Sequence, residues 1–250
     1  TLTNVVWGLA LSGGGTHTLT NVTAVATERN LDASGTGAVI ATQLNLSGSD
    51  AAISLRGPDS DIDGASITLA SANSIGLDVL DGLHDWKNVE LSKPYSSQDV
   101  TSIGVKAWYS TIAVQALSIT HFATGIDASD ASITGDTITV VDGKMTGIAL
   151  HDSDVTLDSL STRVFTTGVH MEGASTLHVT DWLADLHATP LNLDTDCTAT
   201  VRNFQPQNTQ ASSSDALGDG SLLYGGSTTA SIATSSSDFF EETPVTFTDL

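Results

Sequence analysis

The chain has a single cysteine, only eight lysines and arginines against 29 aspartates and glutamates, and no long apolar run. Each scarcity excludes something. Cys197 alone can form neither an internal disulfide nor a cysteine-cluster metal site, because both need at least two thiols in the chain. The redox compartment is left open. No apolar stretch reaches the roughly 18 residues that span a bilayer, so membrane insertion through a helix is not expected. The first residues, Thr1 to Val6, read as strand with neither a charged nor an apolar leader region, as in a mature or excised segment. With so few cations the formal net charge is −21, and that field repels nucleic acid and anionic membrane surfaces. The same excess of carboxylates suits a saline, halophilic setting, where screening removes much of the self-repulsion, and it attracts divalent cations.

What the chain does have is a repeat. A glycine between two small or branched residues recurs as Ile103-Gly104-Val105, Thr124-Gly125-Ile126, Thr146-Gly147-Ile148 and Thr167-Gly168-Val169, with Thr189-Pro190-Leu191 as a degenerate copy. Upstream, Ile75-Gly76-Leu77 fits after a longer loop, and Thr36-Gly37-Ala38 about two turns earlier. The residues one and three after each glycine are apolar, as in Val105 and Ala107, Ile126 and Ala128, or Ile148 and Leu150. Those two and four after it are mostly polar. That alternation describes a short strand with one buried face. A second apolar cluster follows in each copy (Ile112 and Val114, Ile133, Val155 and Leu157), then a third (Leu117 and Ile119, Ile138 and Val140, Leu160, Trp182, Phe204).

Three short strands in so few residues cannot bury their own edges, whereas stacking turn upon turn covers both edges and core. No copy carries a helical period over ten residues, and the Leu/Asn spacing of a leucine-rich repeat is absent. A β-sandwich also yields regular short strands and stays as the alternative architecture. The expectation is an all-β right-handed parallel β-helix, a solenoid of 21–22-residue coils over 31–205. Residues 1–30 form a first coil or N-terminal cap, and 206–250 a Ser/Thr/Gly-rich linker leading to a C-terminal cap or next module. Phe239-Phe240 and Pro244 to Phe247 are the apolar burst that would cover the open end.

The cadence Thr-Gly-Ile, then alternating apolar and Ser or Asp positions, resembles the right-handed parallel β-helix repeat proteins over roughly residues 30–205. That group includes pectate lyases, polygalacturonases, phage tailspikes and many bacterial and archaeal surface proteins. The resemblance implies the fold; chemistry in such folds is added by particular side chains. The catalytic signatures of the enzymes in that group are missing. The basic residues along the coils, Arg56, Lys106, Lys144, Arg163 and Arg202, form no cluster beside acidic ones, and no Gly-x-Ser-x-Gly elbow is present.

Three constellations remain. Asp59-Ser60-Asp61-Ile62-Asp63-Gly64 matches the start of a calcium loop, with Asp59, Asp61 and Asp63 as candidate ligands, but Ala70 stands where an EF-hand places its bidentate glutamate. The alternative is a solvated acidic turn. Short acidic turns (Ser49-Asp50, Ser129-Asp130, Ser153-Asp154, Asp194-Thr195-Asp196) are expected to stack along one edge. The fourth residue after each glycine is Trp108, Ser129, His151, Glu172 and Asp194 in successive coils, so His151, Glu172 and Asp194 form a column suited to acid–base chemistry on a glycan, to metal ligation, or to solvation alone. Trp108 with Lys106 and Tyr109 offers a sugar-stacking platform. Trp86, with Tyr95 and Lys93 in an expected insertion from Leu80 to Ser97, either joins that platform or packs beneath the loop.

The functional expectation is a non-catalytic structural or adhesive module, extracellular or on the cell surface, with calcium as the cation and glycan, protein or a second copy as partner. A carbohydrate-active or glycan-binding β-helix is the alternative. A periplasmic metal-handling role would need His or Met clusters, and seven scattered His with two Met disfavour it.

Overall fold

The computed structural model describes residues 1–35, 37–48, 50–95, 99–194 and 196–207, together with short strands at 229–232 and 245–247. Among these residues there is no helix; the chain is a parallel β-solenoid of about nine turns with coils of about 22 residues. Each coil contributes a short strand and a long one, such as Ile103–Trp108 with Thr111–Thr120, Thr124–Ser129 with Ser132–Val141, and Thr146–His151 with Asp154–Arg163.

The long strand turns a corner. In Thr111–Thr120 the inward residues are Ile112, Val114, Leu117 and Ile119, so the alternation slips by one after Val114. Val114 pairs with Gly135 and Ala116 with Thr137, which leaves Gln115 outside the register. The corner divides the long strand in two, and the coil has the three faces that the apolar clusters predict. In the earlier coils the corner residue, Asn21, Gln43, Gly64 or Asn88, takes a positive φ of 54 to 74°.

Like positions stack on like. Val105, Ile126, Ile148, Val169 and Leu191 are cross-strand neighbours in successive coils, as are Leu117, Ile138, Leu160, Trp182 and Phe204, and all are buried. Each aliphatic side chain in these files contributes about 1.5–3 kcal/mol relative to exposure. At the signature glycine two coils come very close. A Cβ on Gly104 would lie 2.6 Å from the Gly125 carbonyl oxygen and 2.5 Å from Ile119 Cγ2.

Several expectations need correction. Thr36-Gly37-Ala38 is not a copy of the signature. Ala38 opens a long strand, Ala38–Ser47, and Thr36 lies outside the described residues. The register instead runs Trp7-Gly8-Leu9, Arg29-Asn30-Leu31, Ala51-Ala52-Ile53, Ile75-Gly76-Leu77, with Asn30 and Ala52 in the glycine's place. Nor is Leu80 to Ser97 one insertion. Leu83–Ser92 is a regular long strand, and the extra residues begin only at Lys93. Trp86 therefore belongs to the core file between Ile62 and Val114, fully buried, its Nε1–H donating to Ser60 Oγ at 3.1 Å.

The acidic turns do not all share one edge. Asp50 sits before a short strand, where its carbonyl accepts from Ile75 N, whereas Asp130 and Asp194 lie between a short strand and the long one after it, and Asp154 opens its long strand. Ser153 is buried, and Ser49 and Thr195 lie outside the described residues. At the far end, Thr229–Ile232 pairs parallel with 198–201, and Val245–Phe247 pairs antiparallel with that strand. Phe239-Phe240 and Pro244 lie outside the described residues.

A file of small polar residues closes the turn after the short strand from within. Ser153 Oγ accepts from Ala131 N and Ser175 Oγ from Ser153 N, both at 3.1 Å, while the hydroxyls donate to His151 O and Glu172 O of their own coils. Cys197 holds the next position, its thiol donating to Gly173 O. Burial pushes that thiol's pKa up. Because a buried amide without a partner costs about 1–3 kcal/mol, Ser175→Ala is expected to lower stability by that amount in urea unfolding. Cys197→Ser, which keeps a donor and acceptor, is expected to leave the midpoint nearly unchanged; a larger loss for Cys197→Ser than for Ser175→Ala would contradict this account of the turn.

Candidate functional site

Successive residues of a strand point to opposite sides, and successive coils lie about 4.8 Å apart, so outward residues of the short strands form columns. Trp108, Ser129, His151 and Glu172 are direct neighbours in that order, and Asp194 follows, its N–H bonded to Met171 O. His151 Nδ1 lies 3.6 Å from Glu172 Oε2, and its Nε2 lies 3.3 Å from Asp152 Oδ2. The other oxygen of Glu172 is 2.7 Å from His170 Nε2, and the remaining nitrogen of His170 faces Asn192 Nδ2 at 2.9 Å. The expected column thus gains His170 and Asn192 from the neighbouring one. Their signal was available: the residue two after each glycine shares the outward face with the residue four after it.

Lys106 and Trp108 do meet, with Nζ 4.5 Å from the indole centroid. Lys106 stands between Asp78 and Asp127 in the next column, and burial raises the Asp127 carboxyl while Lys106 pulls it back down. Trp108 and Tyr109 are 43% and 62% exposed, a real aromatic surface. Tyr95 and Lys93 are elsewhere. Tyr95 packs edge-on against His121 at 5.6 Å, and Lys93 is buried against Asp99. Burial alone would raise the Asp99 carboxyl, but hydrogen bonds from Lys93, Ser102 and Thr101 outweigh it and hold the group below its usual value.

The Asp59 to Gly64 run is strand and not a wrapping loop. Ser60 and Ile62 point inward, so Asp59, Asp61 and Asp63 share the outer face of Asp59–Thr68, about 7 Å apart from one to the next. Each has its own partner: Asp59 Oδ1 accepts from Leu83 N at 2.8 Å, Asp61 lies 3.9 Å from Lys87 Nζ, and Asp63 Oδ1 accepts from Asn88 Nδ2 at 3.3 Å. Asp85 and Asp61 together push the Lys87 ammonium up. Gly64 is the corner residue. Among the described residues no group of three or more His, Cys, Asp or Glu is gathered as it would be around a metal ion.

Concave surface lies away from the His151 column and the three aspartates, and two depressions meet instead at Tyr95, Gly143 and Lys144, one of them reaching Asp99 and His121. Two further shallow depressions meet at Asn88 and Glu90 along the corner, with Leu44, Ala65, Val89 and Leu117 in their lining. Two histidines are wholly internal. His84 bridges Ser60 Oγ and the Asp81 carbonyl, both at 2.9 Å, and His187 meets the carbonyls of Phe165 and Thr162. Burial lowers the pKa of both, against hydrogen bonds that raise it.

Compared with protein-family models, curated proteins and solved structures, the chain finds no match.

Because His84 and His187 titrate lower in the folded protein than the ordinary value of about 6.5, the unfolded chain binds more protons below that pH. Their contribution is complete above about pH 6.5 and is lost as the pH falls from there towards the folded values. The urea midpoint of the native protein is expected to drop between about pH 7.5 and about 5.5, and less steeply in a His84→Gln/His187→Gln variant. Equal slopes would contradict the assignment to these two rings.

Proposed function

We propose that this chain is a non-catalytic structural or adhesive module of an extracellular or cell-surface protein, stabilised by cations and able to self-associate. One observation carries the reading. Where polar side chains on the outside bond to one another, they do so largely from coil to coil. Arg56 reaches Asp78, Arg163 holds Asp142 through both carboxylate oxygens at 3.0 Å, Asn203 donates to Asp181 at 2.7 Å, and Asn88 to Asp63. Thr176 bonds Asp154 in the same manner. Such ties reinforce a stack, and they leave the His151, Glu172 and Asp194 column as one more seam in it. A panel of neutral and acidic polysaccharides is expected to show no turnover by the native protein. Turnover that disappears in a His151→Ala/Glu172→Ala/Asp194→Ala variant would replace this reading with the carbohydrate-active one.

Cation stabilisation is proposed as a diffuse effect of the −21 charge, densest on the outer strip of Asp59, Asp61, Asp63 and Asp85. Because exposed charges are screened over a Debye length of about 8–10 Å at moderate salt, the melting temperature is expected to rise with sodium chloride, and calcium should act at lower concentration than sodium. A melting temperature that ignores both salts and chelator would remove cations from the proposal.

The exposed Trp108 and Tyr109 with Lys106 support a second reading, glycan binding on this face. Trp108→Ala is expected to weaken any retained glycan by about 1–2 kcal/mol with no change in folding, measured by calorimetric titration; an unchanged affinity would place the ligand elsewhere.

A further inference from the structure

Of the ion pairs in the described residues, Lys93 with Asp99 is the one removed from water, the two side chains being 2% and 3% exposed, while the others face solvent. The pair lies between the long strand Leu83–Ser92 and the short strand Ile103–Trp108, where the chain carries extra residues. Lys93 Nζ is in direct contact with Asp99 Oδ2, donates to Ser71 O at 2.8 Å, and lies 5.8 Å from the centre of the Phe122 ring. The other carboxylate oxygen, Oδ1, accepts two backbone N–H groups, from Thr101 at 3.2 Å and Ser102 at 3.1 Å. Ser102 Oγ–H donates to Oδ2 at 2.5 Å.

This arrangement has the parts of an acyl-transfer site. A nucleophilic nitrogen is held against a carboxyl, two preorganised N–H donors address one oxygen, and a hydroxyl donor addresses the other. We propose that Lys93 and Asp99 are joined by an isopeptide bond that the folded protein forms itself, with release of one water. The step begins when one proton passes from the ammonium to Oδ2, against the hydrogen bonds that hold the Asp99 carboxyl below its usual value, and leaves a neutral amine beside a neutral acid, a pair that costs less to bury than two charges. Nζ adds to Cγ, and the negative oxygen that develops at Oδ1 is held by the Thr101 and Ser102 amides. Nζ then gives a second proton to Oδ2, the Cγ–Oδ2 bond breaks with Ser102 Oγ–H assisting, and Oδ2 departs as water. One C–N bond replaces one C–O bond, no redox partner is needed, and a neutral amide replaces two buried charges. The product closes the extra segment into a ring anchored on the long strand Leu83–Ser92 and the short strand Ile103–Trp108.

The test is the intact mass of the full chain, purified folded and incubated until the mass is constant. The expected result is a mass one water below that of the sequence, with fragmentation that yields no cleavage products between residues 93 and 99. Lys93→Ala and Asp99→Ala should each show the full mass of their sequence, and these readings hold whether or not the variants fold well. A native chain at full mass overturns the proposal. So does loss of water that persists in Lys93→Ala, which would mark a succinimide at Asp99 instead.

Discussion

The structure depends on the hydrogen-bond ladder between coils. A single coil leaves the N–H and C=O groups of all its strands unpaired on two edges, and only another coil of the same shape can satisfy them at about 4.8 Å. That requirement propagates. Each residue must have a counterpart in the next coil that fits the same space, which is why aliphatic residues file along the interior and why Ser153, Ser175 and Cys197 succeed one another in the turn. At Gly104, Gly125 and Gly147 a Cβ would fall within 2.6 Å of the next coil's carbonyl oxygen, so these coils leave no room for a side chain there. Departures from the common spacing fall between strands, as with the extra residues from Lys93 onward.

Most of this was legible from the residues. The inward positions from Val105 to Phe204 follow from alternation alone, because a strand offers one choice of face once a few members are known. The corner was legible too, since the second and third apolar clusters are out of phase with each other. The first coils were harder. There the signature glycine gives way to Ala52 and Asn30, so the glycine spacing points to Gly37 instead, while the inward pattern of Leu31, Ile53 and Leu77 continues undisturbed. Leu80 to Ser97 reads as an insertion for a related reason: a single long spacing between signature glycines conceals a regular strand that carries a tryptophan where its neighbours carry Ile62 and Val114.

The candidate site was legible in one dimension only. Counting from the glycine places His151 beside Glu172 and puts His170 and Asn192 on the same outward face, but it does not give the hydrogen bonds that join the two columns. The aspartates at 59, 61 and 63 illustrate an ambiguity of period two. Alternating carboxylates are the outward face of a strand as readily as the donors of a cation loop, and the inward burial of Ser60 and Ile62 decides for the strand. Buried Lys93 and Asp99 carry no sequence pattern at all, since nothing in their spacing marks them as facing each other.

The surface chemistry and the ladder express the same constraint. Side chains outside the core bond mainly to their counterparts one coil away, so each coil is tied to its neighbours by side chains as well as by the ladder. Site-resolved native-state hydrogen exchange tests this most directly. The account predicts protection that follows the register, with amides at 112, 133, 155 and 177 slow and similar, and likewise at 105, 126, 148 and 169, whatever their separation in the chain. Slow amides confined to one contiguous stretch of sequence, with fast exchange at their cross-coil counterparts, would contradict it.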